Sequence, residues 1–266
     1  MNITEIDDPA DARLAPYRDI RERDLASRDG LFIAEGKVVL DVLLSARRFE
    51  PLSILLLESR VEGMAQTLAN APATLPVYVA PASVMDAVAG FNVHRGVLAA
   101  VRRRPPEAVG ELIAGLPRQA LVLALVGISN HDNVGSIFRN AAAFGVDAVF
   151  LDRTSCDPLY RKAIRVSVGA SLKVPFAVAC DVGELIASLG AAGFEQYALS
   201  PRGRFDIGAV TPPTRSALYL GTEGEGLPES VMSGMTTVRI PIAPGFDSLN
   251  VAAASAVALH RLFRGG

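Results

Sequence analysis

Two distant parts of the chain each join a short apolar segment to a loop of small polar residues, and in both the loop leads into a helical pattern. They are residues 126–152 and 218–263. A fully apolar run such as LVLALVG is typical of a parallel strand that is buried on both faces. The segment GSIFRNAAAFG has the apolar spacing of a helix that ends at a glycine. This alternation restricts the second half of the chain to an α/β fold, with a mostly parallel sheet covered by helices on both faces.

The first part of the chain predicts a second, smaller α/β domain. Between residues 30 and 104, the strand patterns LFIAEG, LSILLLES, VYVA and GVLAAVRR alternate with the helical patterns KVVLDVLLSA, VEGMAQTLANA and ASVMDAVAG. Two consecutive prolines at 105 and 106 then interrupt this periodicity, since proline neither continues a strand nor fits inside a helix. We therefore expect an N-terminal domain over residues 1–104, a linker over 105–119 and a larger domain over 120–266.

Composition argues against several partners. The net charge is −2, and acidic and basic residues divide evenly about Pro106. Charge alone therefore does not indicate an RNA or membrane partner for either half of the chain. No apolar run reaches the roughly 18 residues of a membrane span, and the acidic N-terminus resembles no targeting segment. We expect a cytoplasmic protein without a membrane partner. Its two cysteines, Cys156 and Cys180, should be free buried thiols, and no clustered histidines accompany them, so we expect no metal site.

The first polar loop, residues 130–135, joins an apolar strand to an Ala-rich helix. Asp132 or Asn133 would serve there as the helix N-cap, which is the ordinary role of such residues. Arg139 is less ordinary, because an arginine on an otherwise apolar helix must either reach solvent or meet an anion.

Two further loops follow apolar strands near the C-terminus. Residues 221–226 have the glycine spacing G-x-x-G-x-G, which is neither a dinucleotide fingerprint nor a P-loop. They form either a flexible turn or part of a ligand site, since open α/β sheets bind ligands at the carboxyl ends of their strands. The loop 245–250 leads into the last helix, with Ser248 or Asn250 as its cap.

Together these residues resemble the SpoU/TrmH family of RNA 2′-O-ribose methyltransferases, within the SPOUT class. The family's three motifs stand here, in order, as Asn133-Val134-Gly135-Ser136-Ile137-Phe138-Arg139, as 221–227, and as Ile240-Pro241 followed by Ser248-Leu249-Asn250-Val251. The match covers the chain from about residue 120 onward. More loosely, FIAEGKVVLDVLLSA and HRGVLAAV resemble a ribosomal-protein-like substrate-binding domain that is often fused to this family.

The resemblance implies a fold, a cofactor and partners. The C-terminal part of the sheet would thread a trefoil knot, an exception to the near-absence of knots in proteins. S-adenosylmethionine would be the methyl donor, the substrate would be ribosomal or transfer RNA, and the protein would be a homodimer with its active site near the subunit interface. Motif position assigns cofactor binding to the backbones of Gly221, Ile240 and Leu249 and to the closing loop at Leu199 and Ser200. It assigns the reacting site to Asn133, Arg139, Glu223, Ser248 and Asn250.

A mechanism follows from these assignments as a hypothesis. A guanidinium is a poor base, so Arg139 would hold an RNA phosphate and stabilise the developing alkoxide, while the phosphate or Asn250 relays the proton. Two alternatives stay open: a SPOUT enzyme that methylates a base, and an RNA-binding scaffold without catalysis. The N-terminal domain would select the RNA, with Arg47-Arg48 and Arg102–Arg104 as candidate phosphate contacts.

Overall fold

The computed structural model describes residues 2–20 and 30–264, and the chain forms two compact units. The first comprises Met1–Pro105 together with Leu159–Lys173, and the second comprises Pro106–Pro158 and Val174–Gly266. The change of unit at 105/106 coincides with the two consecutive prolines. The return of residues 159–173 to the first unit has no counterpart in the sequence prediction.

The first unit contains a five-stranded mixed sheet. Its strands are β1 (Asn2–Glu5), β2 (Leu31–Glu35), β3 (Glu50–Leu57), β4 (Pro76–Ala80) and β5 (Val97–Arg102), in the order β1-β4-β3-β5-β2. Strand β5 runs antiparallel to both of its neighbours, and the remaining pairs are parallel. The edge strand β1 lies in the charged N-terminal segment, where the sequence gives no alternating apolar pattern.

The helices of this unit follow the predicted pattern with one exception. They are α1 (Lys37–Ala46), α2 (Ala65–Ala69) and α3 (Ala82–Ala89). The second is shorter than the predicted span of 61–71, because 3-10 turns occupy Glu58–Arg60 and Glu62–Met64. Gly63 lies within the second turn, and glycine weakens a continuous helix. Under the sheet, Tyr17 is fully buried and its hydroxyl lies 2.8 Å from Ser53 Oγ.

The second unit contains a seven-stranded sheet in which every pairing is parallel. Its strands are β6 (Ala120–Leu125), β7 (Ala148–Leu151), β8 (Phe176–Val178), β9 (Glu195–Leu199), β10 (Phe205–Asp206), β11 (Arg215–Leu220) and β12 (Thr236–Arg239). Their order is β10-β12-β9-β11-β6-β7-β8. The prediction of an α/β fold with a mostly parallel sheet is confirmed.

The helices of the second half of the chain complete both units. They are α4 (Val109–Ala114), α5 (His131–Ala143), α6 (Arg161–Val166), α7 (Ala170–Lys173), α8 (Val182–Ala191), α9 (Glu229–Met232) and α10 (Val251–Leu262). Helix α4 lies inside the segment 105–119 that the sequence assigns to a linker. Its Leu112 and Ile113 are buried in the hydrophobic core of the second unit, so this segment packs as a part of that unit.

Helices α6 and α7 pack in the first unit, against β2 and α1. The guanidinium of Arg161 lies 2.6 Å from the carboxylate of Glu35, which is 5% exposed. The same guanidinium lies 4.6 Å from the ring centroid of Phe91. A carboxylate this deeply buried is stable only with such a partner, so the inserted segment supplies the cation that the first unit needs.

Both cysteines are free, as predicted, but the expectation that they are buried is wrong. Cys156 is half-buried and Cys180 is exposed, because Cys180 follows the short edge strand β8 rather than lying within it. Across the described ranges 2–20 and 30–264, no helix is long and apolar enough to cross a membrane. The same residues contain no group of three or more His, Cys, Asp or Glu side chains arranged to hold a metal ion.

Candidate active site

The carboxyl ends of three adjacent strands, β9, β11 and β12, border a cleft of about 1020 Å³. Three loops line it, and two of them are the C-terminal loops singled out in the sequence. All five residues assigned to cofactor binding lie on its walls: Leu199, Ser200, Gly221, Ile240 and Leu249. The cleft thus occupies the position where ligands of open parallel sheets bind, and its volume suits a nucleoside-sized ligand.

The loop 221–226 is closed by hydrogen bonds between its own residues. The backbone N–H groups of Thr222 and Gly226 each donate to the carbonyl of the other residue, at 3.3 and 3.2 Å. A Cβ atom at Gly221 would lie 2.3 Å from the backbone carbon of Gly226, so only glycine fits there. The glycine therefore serves the close return of the loop's own backbone, and the turn holds Glu223 at a fixed place on the wall of the cleft.

A polar cluster brings together residues from all three motifs. The side-chain amides of Asn133 and Asn250 both donate to Oε1 of Glu223, at 2.7 and 2.6 Å. The amide of Asn250 also donates to Oδ1 of Asn133, at 3.1 Å. Asn133 is only 6% exposed, whereas Glu223 and Asn250 are exposed and line the cleft. Three of the five residues assigned to the reacting site are thus in direct contact.

Helix capping explains why Asn133 is available for this cluster. Helix α5 begins earlier than predicted, and Asn130 is its N-cap, with a side-chain oxygen that accepts from the N–H of Asp132 at 2.8 Å. The expectation that Asp132 or Asn133 caps the helix is therefore wrong. Asn133 lies in the first turn on the buried face, where its amide points at Glu223.

Asn250 is the cap of helix α10, as the sequence predicts for Ser248 or Asn250. Its Oδ1 accepts from the N–H groups of Ala252 and Ala253, at 2.9 and 3.2 Å. Its amide nitrogen is already committed to Glu223 and Asn133. An amide has two donors and one acceptor oxygen, so every polar group of Asn250 is engaged, and the hypothesis that Asn250 relays a proton would require breaking these bonds.

Ser248 and Arg139 have different surroundings. Ser248 lines the cleft within a loop, 243–250, whose residues are all exposed. Arg139 is exposed on α5 and does not line the cleft. It follows Asn133 by six residues, which is roughly 9 Å along a helix and about a third of a turn around it. One chain therefore does not bring Arg139 to the cluster.

The loop between β6 and α5 is fixed by a carboxylate that sequence reasoning did not identify. Oδ1 of Asp152 accepts from the N–H of Gly127 at 3.0 Å and from Ser155 Oγ at 2.6 Å, and Thr154 Oγ1 donates to Oδ2 at 2.5 Å. Partial burial opposes the charged form of Asp152, but the hydrogen bonds from Ser155, Thr154 and the backbone outweigh it and lower the pKa of this carboxyl. Asp152 thus stays ionised and positions Gly127, in the loop that leads from β6 to helix α5.

Comparisons with known proteins agree with this geometry. Residues 120–260 match the SpoU rRNA Methylase family. Over its whole length the chain is 40% identical to an uncharacterized tRNA/rRNA methyltransferase of Mycobacterium bovis, 93% of which is covered. It is 31% identical to the 23S rRNA (guanosine-2'-O-)-methyltransferase RlmB of Acinetobacter baylyi, over 73% of the chain and 80% of that protein. The crystal structure of an AdoMet-bound rRNA methyltransferase from Sinorhizobium meliloti shares its fold, with a TM-score of 0.80, 23% identity, and coverage of 98% of this chain and 97% of that one.

Proposed function

The chain belongs to the SpoU rRNA methylase family of RNA methyltransferases, and on this premise we propose that it transfers a methyl group from S-adenosylmethionine to a ribose 2′-hydroxyl of ribosomal or transfer RNA. The observation that carries the proposal is the convergence of three distant loops on one cleft, with Glu223, Asn133 and Asn250 bonded to one another beside it. The ribose as acceptor is supported by the relative of Acinetobacter baylyi, whose name gives it a guanosine 2′-O-methyltransferase activity.

The residues of the cleft fit S-adenosylmethionine. Its walls combine aliphatic side chains such as Leu199, Ile240 and Leu249, which suit an adenine ring, with exposed backbone at strand ends. Carboxylates on the same walls suit the sulfonium and ammonium charges of the donor. The backbones of Gly221, Ile240 and Leu249 and the loop at Leu199–Ser200 would hold it. When bound, the donor supplies an activated methyl group on sulfur.

The chain's own residues align the acceptor and accept its proton. Transfer from a sulfonium mainly requires in-line alignment of donor and acceptor and removal of the hydroxyl proton. Within the cluster, Oε1 of Glu223 is occupied by Asn133 and Asn250. Its second oxygen, Oε2, accepts no hydrogen bond from the described residues, so Glu223 is the acceptor that remains open to the ribose hydroxyl. Ser248, beside it on the wall, adds a second polar contact to the sugar.

Arg139 completes the site from a second copy of the chain in this proposal. Away from the cleft, two large apolar side chains are exposed at the C-terminal end of the second unit, on and just after helix α10: Val257 (42%) and Phe263 (43%). Exposed apolar groups favour burial against a partner, and a two-fold dimer is the commonest assembly. We propose that the dimer places Arg139 of one chain near Glu223 of the other, where it holds an RNA phosphate and stabilises the developing alkoxide.

The C-terminal part of the second sheet is proposed to thread a trefoil knot. The late strand β12 lies between β9 and β10 rather than at an edge of the sheet. A strand inserted between earlier strands supports a chain that passes through a loop already formed, which ordinary folds avoid.

The first unit offers a basic surface for RNA. Arg47 and Arg48 lie three and two residues before β3, whose first residue, Glu50, pairs with Arg102 at the end of β5. These residues and Arg103-Arg104 therefore lie at one end of this sheet, where Glu50 forms an ion pair with Arg102 at 3.4 Å. Clustered arginines bind phosphates without reading sequence. Replacing Arg47 and Arg104 with Glu should lower RNA affinity and its salt dependence while donor affinity is unchanged.

Mass-spectrometric mapping of methylated nucleosides in RNA from a deletion strain, and in the same RNA after incubation with the protein and donor, tests the activity. Loss and restoration of one 2′-O-methylated nucleotide is the expected result. Loss of a methylated base instead would replace the proposal with base methylation. A protein that binds no donor by calorimetry and restores nothing would be an RNA-binding scaffold.

Mixed dimers test the shared site. Arg139→Ala and Glu223→Ala homodimers should each be inactive. If the two residues act from different chains, a mixed dimer has one intact site, so unfolding and refolding an equal mixture restores about a quarter of wild-type activity. If they act from the same chain, the mixture stays inactive and the shared site is wrong. Arg139→Lys should lower kcat by orders of magnitude, because lysine lacks the bidentate fork. Near-normal turnover of Arg139→Lys would refute the role given to Arg139.

A further inference from the structure

The loop that follows β9 is fastened to β12 along its length. The N–H of Ser200 donates to the carbonyl of Val238 at 2.9 Å, and that of Arg204 donates to Thr237 Oγ1 at 3.1 Å. A Cβ atom at Gly203 would lie 2.2 Å from the backbone carbon of Val238, so the loop crosses that strand where there is no room for a side chain. This loop, expected from the family resemblance to close over the cofactor, is thus anchored by backbone contacts.

The side chain of Arg239, at the end of the same strand, adds a further contact to this loop. Its Nη1 donates to the carbonyl of Gly203 at 2.7 Å. Ser200 also closes the turn internally, because its carbonyl accepts from the N–H of Gly203 at 2.9 Å. Between these two anchored residues lies Arg202, which is exposed and lines the cleft. These contacts therefore fix the backbone position of Arg202 on the cleft wall.

The charges on the cleft wall are unequal in number. Four carboxylates line it, those of Glu223, Glu225, Glu229 and Asp247, and Arg202 is the one cationic side chain among the described lining residues. Its guanidinium makes no hydrogen bond or ion pair with the described part of the chain. An unpaired arginine among carboxylates on a rigid turn is positioned for an anion that a ligand brings.

We propose that Arg202 binds the carboxylate of the amino-acid part of the methyl donor. The proposal rests on the function proposed above. S-adenosylmethionine carries two cations, the sulfonium and the ammonium, and one anion, the carboxylate. The carboxylates of Glu225, Glu229 and Asp247 complement the cations, and Arg202 complements the anion with a bidentate hydrogen-bonding geometry. Arg202 is then a binding residue that orients the amino-acid tail and, through it, the sulfonium.

Two ligands that differ in the amino-acid part separate this role from others. S-adenosylhomocysteine carries the carboxylate, whereas 5′-methylthioadenosine has the same nucleoside and thioether without it. Calorimetry on the full chain should show that Arg202→Gln weakens S-adenosylhomocysteine binding by about 10- to 100-fold, the range for a lost charge-assisted hydrogen bond. Binding of 5′-methylthioadenosine should change less than about twofold. The matched control is Arg204→Gln, which removes the charge of another arginine in the same loop. Because Arg204 does not line the cleft, this variant should change neither affinity.

Other outcomes overturn the assignment. If Arg202→Gln lowered the affinities for both ligands equally, the loop itself would have moved. Unchanged binding of both, with a raised KM for RNA, would assign Arg202 to an RNA phosphate. If the wild-type protein bound neither ligand, the proposed function would fail and this assignment with it, whereas the first two outcomes leave the proposed function intact.

Discussion

Asn250→Asp should make the stability of the protein depend on pH in a way that the wild type does not. Aspartate caps a helix as well as asparagine does, so the bonds from Ala252 and Ala253 to the side-chain oxygen persist. The amide nitrogen that lies 2.6 Å from Oε1 of Glu223 becomes an oxygen. The carboxylates of Asp at position 250 and of Glu223 then face each other, where the amide of Asn250 donated a hydrogen bond to Glu223.

The magnitude follows from the distance between these two atoms. At 2.6 Å, two unit charges repel by about 1.6 kcal/mol in water and by about 6 kcal/mol at an effective dielectric constant of 20. Because Glu223 is exposed, we expect a value near the lower limit, about 2 kcal/mol. The two lost hydrogen bonds, to Glu223 and Asn133, add about 1 kcal/mol each. At pH 8 the variant should therefore lose about 4 kcal/mol of unfolding free energy.

The repulsion disappears when the pair shares a proton. Adjacent like charges raise the folded-state pKa of the pair above the unfolded value of about 4. A raised folded pKa gives stability that is present below the unfolded pKa and is lost as pH rises through the folded pKa. The deficit of Asn250→Asp relative to wild type should thus be smaller at pH 4.5 than at pH 8.

Urea unfolding at both pH values, at one protein concentration, measures this difference. Asn250→Ser is the control, since serine caps the helix but is too short to reach Glu223, so its deficit should be independent of pH. Equal deficits of Asn250→Asp at pH 4.5 and pH 8 would show that Glu223 and Asn250 are not in contact and would refute the cluster on which the function rests.

Three further perturbations test other parts of the structure. Gly221→Ala should abolish donor binding in calorimetry and lower the melting temperature, because its Cβ would overlap the returning backbone of the loop at 2.3 Å. Replacing Arg161 and Arg165 together with Ala should lower the urea unfolding free energy by about 3 to 5 kcal/mol, since it leaves the carboxylate of Glu35 buried without the two guanidiniums that lie 2.6 and 3.8 Å from it; a loss under 1 kcal/mol would contradict the pairing. Cys180 should react with Ellman's reagent at pH 8 before Cys156, because burial and then the nearby Asp157 raise the pKa of the Cys156 thiol; equal rates would contradict this order.

The sequence predicts the regular elements where apolar spacing is strong. The bounds of α1 agree with the prediction, and α10 begins at the residue after its predicted cap. Motif position also identifies the lining of the cleft, since Gly221, Ile240 and Leu249 all lie on its walls. The element bounds are readable because buried faces impose local apolar patterns, whereas the cleft residues are assigned by the family resemblance.

The parts that the sequence does not predict depend on partners far away in the chain. Nothing near Leu159–Lys173 indicates that it packs in the first unit, because the partner of Arg161 is Glu35, more than a hundred residues earlier. Arg202 carries no motif, and only the crossing of Gly203 over β12 places it at the cleft. In the same way, capping rules alone make Asn133 a candidate cap, and its bond to Glu223 joins residues that are 90 positions apart.

The return of residues 159–173 to the first unit bears on how such a protein can be altered by recombination. Neither unit is encoded by one uninterrupted stretch of the gene. A fragment that stops at Pro105 would carry Glu35 without the cation that neutralises it. If residues 1–105 were replaced by those of another protein, residues 159–173 would pack against side chains that they do not fit. Substitutions in the first 105 residues should therefore be accompanied in evolution by compensating substitutions in residues 159–173.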